Sequence, residues 1–147
     1  MERPPFVFVV GAAGSGTTFM FRCLTQDPDT YGINEDALGP LLAQLQRSEE
    51  EFGRCPHSTA AFRDFLHALR ADRPTLVLKT PSNLRCVDAL RRVLPGARFV
   101  CLVREPHSAV ASGLERHRQP VADVAALWQR DMERAHEASG AGGADHP

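Results

Sequence analysis

Several common features are scarce or missing in this sequence, and each absence excludes a class of protein. Lysine is nearly missing, because all but one of the 17 basic residues are arginines and Lys79 is the exception. The 18 acidic residues bring the net charge to −1, which excludes a uniformly basic nucleic-acid-binding protein. The first apolar run, Phe6 to Val10, is far too short for a membrane span or a signal peptide. We therefore expect a cytoplasmic protein without nucleic-acid or membrane partners, and the arginine bias is typical of a bacterial, GC-rich genome.

The cysteines show no metal-binding pattern. They lie far apart and form no CxxC pair, at positions Cys23, Cys55, Cys86 and Cys101. A reducing compartment would keep them as free thiols. Cys55-Pro56-His57 has no second ligand pair at zinc spacing, and a tetrahedral site needs three or four converging ligands. We expect neither a disulfide nor a metal site.

The distribution of apolar residues predicts one α/β domain. The chain has 147 residues, of which 43% are hydrophobic, enough for a single core. Continuous apolar runs predict buried strands at Phe6–Val10, Thr75–Leu78 and Arg98–Val103. Helices are predicted at 17–24, 37–52, 59–71 with Ser58 as its N-cap, 83–94, from 106 onward, and 121–138. The alternation predicts a short parallel sheet flanked by helices, over residues 1–138, followed by a disordered tail, 139–147.

Each predicted strand ends at a polar segment that could bind an anion. The first is followed by a glycine loop at 11–16, the second by Lys79 and Thr80, and the third by Arg104. The carboxyl ends of parallel strands meet at one edge of a sheet, where ligands bind in such folds. We therefore expect these groups to form one anion-binding site.

The glycine loop, Gly11-Ala12-Ala13-Gly14-Ser15-Gly16-Thr17-Thr18, follows a strand and opens a helix. Small residues let backbone N–H groups converge, and the helix N-terminus adds partial positive charge, so the loop predicts a phosphate or sulfate cradle. The spacing of Gly11, Gly16 and Thr18 matches the Walker A motif, but Thr17 stands where that motif has its lysine. A P-loop kinase or ATPase stays as an alternative that this substitution disfavours.

Taken together, these motifs resemble those of sulfotransferases that use 3′-phosphoadenosine 5′-phosphosulfate (PAPS). Ser15-Gly16-Thr17-Thr18 is similar to their SGTT loop, and Arg104 with Ser112 matches the spacing of their second signature. Lys79-Thr80-Pro81 resembles a segment of bacterial members and of tyrosylprotein sulfotransferases. The resemblance runs from about Phe6 to Leu114.

This resemblance implies a P-loop NTPase-like, three-layer fold and PAPS as co-substrate, with 3′-phosphoadenosine 5′-phosphate (PAP) as product. It assigns the sulfonate end to the loop Gly14, Ser15, Gly16, Thr17 and Thr18. It assigns the 3′-phosphate to Arg104 and Ser112. Lys79 would stabilise the transferring charge, and Glu35, at the position of the tyrosylprotein-type glutamate, would be the general base, with its pKa raised by burial. The expected acceptor is a hydroxyl or amine of a small molecule, glycan or peptide.

Two departures from the family pattern support a second interpretation. Gly14 stands where relatives have arginine or lysine, and losing such a contact commonly costs about 10²–10³ in rate. Relatives continue beyond the helix around Trp128 into a further strand and a segment that lines the acceptor pocket. We therefore expect an incomplete acceptor site and a sheet edge that favours homo-oligomers. The alternative function is a PAP- or PAPS-binding module with little or no transferase activity.

Overall fold

The computed structural model describes residues 5–53, 57–117 and 120–140. The elements are β1 (Phe6–Gly11), α1 (Thr17–Leu24), β2 (Thr30–Asn34), α2 (Leu38–Phe52), α3 (Ser58–Arg70), β3 (Thr75–Lys79), a 3-10 helix (Pro81–Cys86), α4 (Val87–Val93), β4 (Arg98–Leu102), α5 (Pro106–His117) and α6 (Val121–Gly140). Among the described residues, none of these helices is both long and apolar enough to cross a membrane.

The four strands form one parallel sheet in the order β2-β3-β1-β4. This architecture confirms the predicted α/β class. Strand β2, however, was not predicted. It is an edge strand in which Tyr31 is 48% exposed, Gly32 contributes no side chain, and only Ile33 packs against the core. Such a strand lacks the apolar run that marks a buried one, and its pairing with β3 depends on contacts distant in sequence.

Strand β1 lies at the centre of the molecule and is buried along its whole length. Its side chains alternate between the two faces of the sheet, because successive residues of a strand point in opposite directions. Phe6, Phe8 and Val10 belong to the larger core, under α2, α3, α4 and α6. Val7 and Val9 belong to a smaller core under α1. Helices therefore cover both faces, which gives three layers.

The prediction of an α-helix over residues 83–94 is wrong for its first residues. A 3-10 helix occupies Pro81–Cys86, and the α-helix starts only at Val87. The reason lies in Asn83, which is fully buried and uses its side chain to bind the backbone of α2. Residues that place a side chain against another element in this way favour a tighter, irregular turn over a regular α-helix.

The other helix predictions differ from the structure only near their ends. Ser58 was predicted as the N-cap of α3, but it is the first helical residue, and His57 occupies the N-cap position. The Ser58 N–H donates to Glu49 Oε1 at 2.9 Å, so this serine joins α3 to the end of α2. The predicted disordered tail lies outside the described residues from position 141 onward, whereas residues 139 and 140 belong to α6.

Gly32 allows β2 to approach α1, and replacing it with alanine should destabilise the fold. The added Cβ would meet the Thr25 methyl group and would lie 2.8 Å from Phe21 Cζ. Overpacking of this kind costs about 1–3 kcal/mol. Urea unfolding measures the loss. Gly96→Ala is the matched control, since its Cβ would be 3.6 Å from Pro5, an ordinary contact. Equal stability of the two variants would contradict this packing.

Candidate functional site

The glycine loop combines a left-handed backbone at two glycines with a helix start that has no side-chain cap. Gly14 and Gly16 have φ angles of 87° and 92°, a left-handed conformation that other residues rarely adopt. Gly16 is the N-cap of α1 and offers no side-chain cap, so the first N–H groups of that helix stay available for a ligand. Ser15 Oγ is buried and makes no hydrogen bond to a described residue. An anion bound above the loop would satisfy these donors.

The two hydroxyl groups that open α1 differ in exposure. Thr17 is 5% exposed, while Thr18 is open to solvent. Thr17 occupies the Walker A lysine position, so the loop supplies hydroxyl and N–H donors in place of an ammonium group. The chemistry of this donor set fits an oxyanion.

Arg104, at the end of β4, reaches across to the glycine loop. Its Nη1 donates a hydrogen bond to the Gly14 carbonyl oxygen at 2.9 Å. Because a guanidinium carries five N–H donors, this contact anchors the group and leaves others free for a phosphate. The structure thus joins two predicted site elements, β4 and the loop, through one arginine.

Helix α5 lies directly behind Gly14 and brings Ser112 to the loop. Ser112 Oγ is 3.5 Å from the position that a Cβ on Gly14 would occupy. The start of α5 is fixed by Glu105, whose carboxylate accepts the N–H groups of Ser108 at 2.6 Å and His107 at 2.9 Å. The side-chain hydrogen bond of Ser108, together with these backbone N–H groups, lowers the pKa of Glu105 to about 2.

The same packing explains why position 14 carries no cation. A side chain there would require a strained left-handed backbone. Its Cβ would also lie 3.0 Å from the Ala109 carbonyl oxygen of α5. The glycine is therefore a consequence of how closely α5 packs against the loop, and positive charge reaches the loop through Arg104 instead.

The structure brings Lys79 and Glu35 into direct contact. Lys79 ends β3 beside Val9 of β1, its side chain is 2% exposed, and Nζ forms an ion pair with Glu35 Oε1. The Glu35 N–H also donates to the Lys79 carbonyl oxygen at 2.7 Å. Glu35 was expected to be buried, but its side chain is 60% exposed. The exposure follows from its position just beyond edge strand β2, although Oε1 meets the ammonium group and Oε2 accepts a hydrogen bond from Thr80 Oγ1 at 3.5 Å.

Asp36 and Asn83 fix the segment that carries Glu35. The position of Glu35-Asp36 before a helix is also typical of a helix cap, and Asp36 Oδ1 does accept the Leu38 N–H at 3.1 Å, but its pairing with Asn83 could not be predicted. Asn83 Nδ2 lies 3.1 Å from both carboxylate oxygens of Asp36, and Asn83 Oδ1 accepts the Gly39 N–H at 3.1 Å. Burial raises the pKa of Asp36, and the Asn83 hydrogen bond opposes that rise. Both side chains are buried. Glu35 itself has a φ of 56°, so this adjacent anchor holds a strained residue in place.

The fold and the loop define a P-loop-type α/β protein whose candidate anion-binding groups lie at the carboxyl edge of its sheet. The family model described as "Sulfotransferase family" matches residues 5–146. The chain belongs to the sulfotransferase family.

Curated relatives agree with this assignment. The chain is 27% identical over 127 residues to protein-tyrosine sulfotransferase A of Caenorhabditis elegans, a match that covers 76% of this chain and 33% of the relative. It is 28% identical over 127 residues to human protein-tyrosine sulfotransferase 1, covering 76% and 34% of the two chains. The chain thus spans about a third of the length of these relatives.

Two kinases are among the solved structures with a similar fold. A gluconokinase from Sinorhizobium meliloti matches with a TM-score of 0.52 and 20% identity, over 91% of this chain and 76% of the kinase. Shikimate kinase from Bacteroides thetaiotaomicron matches with a TM-score of 0.53 and 13% identity, over 92% and 82%. At these identities the similarity shows the P-loop NTPase-like fold alone.

Replacing Asn83 by alanine should cost at least about 2 kcal/mol of unfolding free energy, because it removes a donor from the Asp36 carboxylate and an acceptor from the Gly39 N–H. The loss should depend on pH. The pKa of Asp36 is raised in the folded state, so its contribution to the free energy of unfolding is most favourable below pH 3.8, the ordinary pKa of an aspartate. That contribution is lost as the pH rises. Without Asn83 the pKa rises further, so the destabilisation grows with pH.

Urea unfolding at several pH values measures this effect, and Ser82→Ala is the matched control on the same 3-10 helix. Ser82 shares a hydrogen bond with Thr80 at 3.2 Å, so its loss should cost about 1 kcal/mol or less, without this pH dependence. A destabilisation of Asn83→Ala that stays constant from acidic to neutral pH would contradict the anchoring of Asp36.

Proposed function

We propose that this chain transfers a sulfuryl group from PAPS to a hydroxyl or amine acceptor and releases PAP. The observation that carries the proposal is the contact between Lys79 and Glu35 at the carboxyl edge of the sheet. It joins a cation and a proton acceptor, the two groups that sulfuryl transfer needs, next to the strand that leads into the glycine loop. Family membership supports the transferase class.

Binding of the co-substrate would use groups from three segments. The backbone N–H groups at the start of α1 and the unpartnered Ser15 hydroxyl would hold the sulfonate end. Arg104, anchored on the Gly14 carbonyl, and Ser112 of α5 would bind the 3′-phosphate. Thr17 and Thr18 add hydroxyl donors at the same helix start.

The chemical step divides between two side chains. Glu35 accepts the proton of the acceptor hydroxyl or amine while the new bond to sulfur forms and the bond between sulfur and the leaving phosphate oxygen breaks. Lys79 stabilises the negative charge that develops on the sulfuryl and leaving oxygens. Because Lys79 is buried, its charge acts in a poorly solvated place where such stabilisation is strongest.

A second function, PAP or PAPS binding without efficient transfer, is favoured by Gly14. The close packing of α5 leaves no room for the cation that relatives carry at this position. In this case the loop and Arg104 would still bind the nucleotide, whereas the leaving group would lack one source of stabilisation. Turnover measurements separate the two functions.

Replacing Lys79 by methionine should lower the rate of PAP formation from PAPS about 10²–10³-fold, because it removes the buried charge but keeps the side-chain volume. Affinity for PAP should change little.

Glu35→Gln should lower the same rate about 10²–10⁴-fold through loss of the proton acceptor. Release of PAP is measured with phenolic, sugar and peptide acceptors, and kcat is compared with the dissociation constant.

Glu50→Gln is the matched control for this pair, because Glu50 is an exposed carboxylate of α2. Its activity should equal that of the unaltered chain. Equal losses of turnover and PAP affinity in Lys79→Met would contradict the assigned role. An unaltered chain that binds PAP but transfers to no acceptor would favour the binding module.

PAP should stabilise the folded chain against heat, whereas 5′-AMP and Mg-ATP should not. A ligand that binds only the folded state stabilises it by about 2.7 kcal/mol at 100 times its Kd. Arg104→Ala should abolish the shift. Arg98→Ala is the matched control, because Arg98 is an exposed arginine at the opposite end of the same strand. Stabilisation by Mg-ATP alone would instead indicate a kinase or ATPase.

A further inference from the structure

A pocket of about 400 Å³ lies between the 3-10 helix and α6, and it is lined mostly by arginines. Arg85 comes from the 3-10 helix, and Arg130 and Arg134 come from successive turns of α6. Leu127 and Asp131 complete the lining. The residues to which we assign sulfuryl transfer, in the glycine loop and at Lys79, do not line this pocket.

The charges in this pocket do not balance. The single carboxylate, Asp131, is 6% exposed and lies 3.7 Å from Arg85 Nη2. Burial raises the pKa of Asp131, and the charges of Arg85, Arg130 and Arg134 all oppose that rise, so all three guanidinium groups act on one carboxylate. The three guanidinium groups and the one carboxylate that line the pocket therefore leave a net charge of +2.

The exposed carboxylates of this stretch of α6, Glu133 and Glu137, do not line the pocket. Glu133, the next acidic residue of α6, accepts a hydrogen bond from Gln129 Nε2 at 3.0 Å. Arg130 donates from Nε to the Ala126 carbonyl oxygen of its own helix. Arg134 makes no hydrogen bond or ion pair with any residue in the described ranges, although it and Arg85 both act on the Cys86 thiol between them. Like charges gathered in a concave place repel one another unless an anion joins them.

The pocket also borders the rear of the nucleotide loop. Asp131 takes part in a second, small cavity that Ala13 of the glycine loop and Ala109 of α5 line from the other side. One buried carboxylate thus lies between the arginine pocket and the loop. Charge bound in the pocket would be felt at the loop through this low-dielectric contact.

We propose that Arg85, Arg130 and Arg134 form a second oxyanion site, for a phosphate or sulfate group, distinct from the glycine loop. Guanidinium groups match the geometry of these tetrahedral oxyanions through paired N–H donors. Asp131 pairs with Arg85 at 3.7 Å and so competes with an anion for it, while Arg130 and Arg134 line the same pocket from α6.

An NMR titration tests this site directly. The arginine Nε–Hε resonances of the chain are followed during addition of sodium sulfate and, separately, sodium phosphate, with sodium chloride holding ionic strength constant. We expect saturable shifts at Arg85 and Arg134. A response to phosphate alone identifies a phosphorylated ligand, a response to sulfate alone a sulfated one, and equal responses a site for either. The absence of saturation with both anions would overturn the proposal.

Variants separate this site from the proposed nucleotide site. Arg134→Gln should weaken the affinity at the pocket about tenfold, the effect of one charge-assisted hydrogen bond. Arg92→Gln, an exposed arginine of α4, is the matched control and should change nothing. Arg104→Ala should leave the pocket response intact even if the glycine loop binds no anion. A pocket response lost in Arg104→Ala but kept in Arg134→Gln would assign the anion to the loop and overturn the second site.

Asp131→Asn adds a test in the opposite direction. Removing the one competing carboxylate should tighten anion binding several-fold, since the three guanidinium groups would then face the anion alone. Unchanged or weaker binding in a variant that keeps its fold, as judged by its amide spectrum, would contradict the proposed charge balance.

Discussion

A buried ammonium group must have a carboxylate partner, and this requirement organises the carboxyl edge of the sheet. Lys79 is almost fully enclosed, so an unpaired charge there would cost several kcal/mol. Glu35 supplies the partner, and to do so the chain must bring the end of β2 against the end of β3. The left-handed backbone of Glu35 and the Asp36–Asn83 anchor are the local consequences of that demand. The parallel arrangement of β2 and β3 thus serves the pair as much as the core.

The sequence predicted those parts of the fold whose information is local. Strands β1 and β3 are continuous apolar runs and are buried along their whole length, as such runs predict. The apolar run of β4 also predicted a buried strand, but β4 is an edge strand whose residues are at most half-buried. Strand β2 could not be predicted from its sequence, because its contacts come from α1 on one side and β3 on the other, while its own residues are half exposed. The 3-10 helix could not be predicted for a related reason, since Asn83 binds Asp36 and Gly39, which lie more than 40 positions away in the sequence.

The site divides in the same way. The glycine loop could be recognised from spacing alone, because its function depends on small residues in consecutive positions. Glu35 was reached only through the resemblance to tyrosylprotein sulfotransferases, since an isolated glutamate before a helix carries no distinguishing pattern. The expected burial of this residue did not follow from the resemblance, because exposure depends on what packs around the strand end. The arginine pocket could not be predicted, since its members join only when α6 crosses the 3-10 helix.

The loop lacks the Walker A lysine, and the two cations of the proposed site are held at strand ends instead. Lys79 ends β3 and Arg104 follows β4, on either side of β1 in the sheet. Groups held at strand ends are more rigid than a long side chain on a loop, because the hydrogen bonds of the sheet position their backbones. Preorganised charge loses less energy in reorganisation when a reaction develops negative charge. Gly14 is consistent with this arrangement, because the space that a loop cation would need is filled by α5, the helix that carries Ser112 to the same edge.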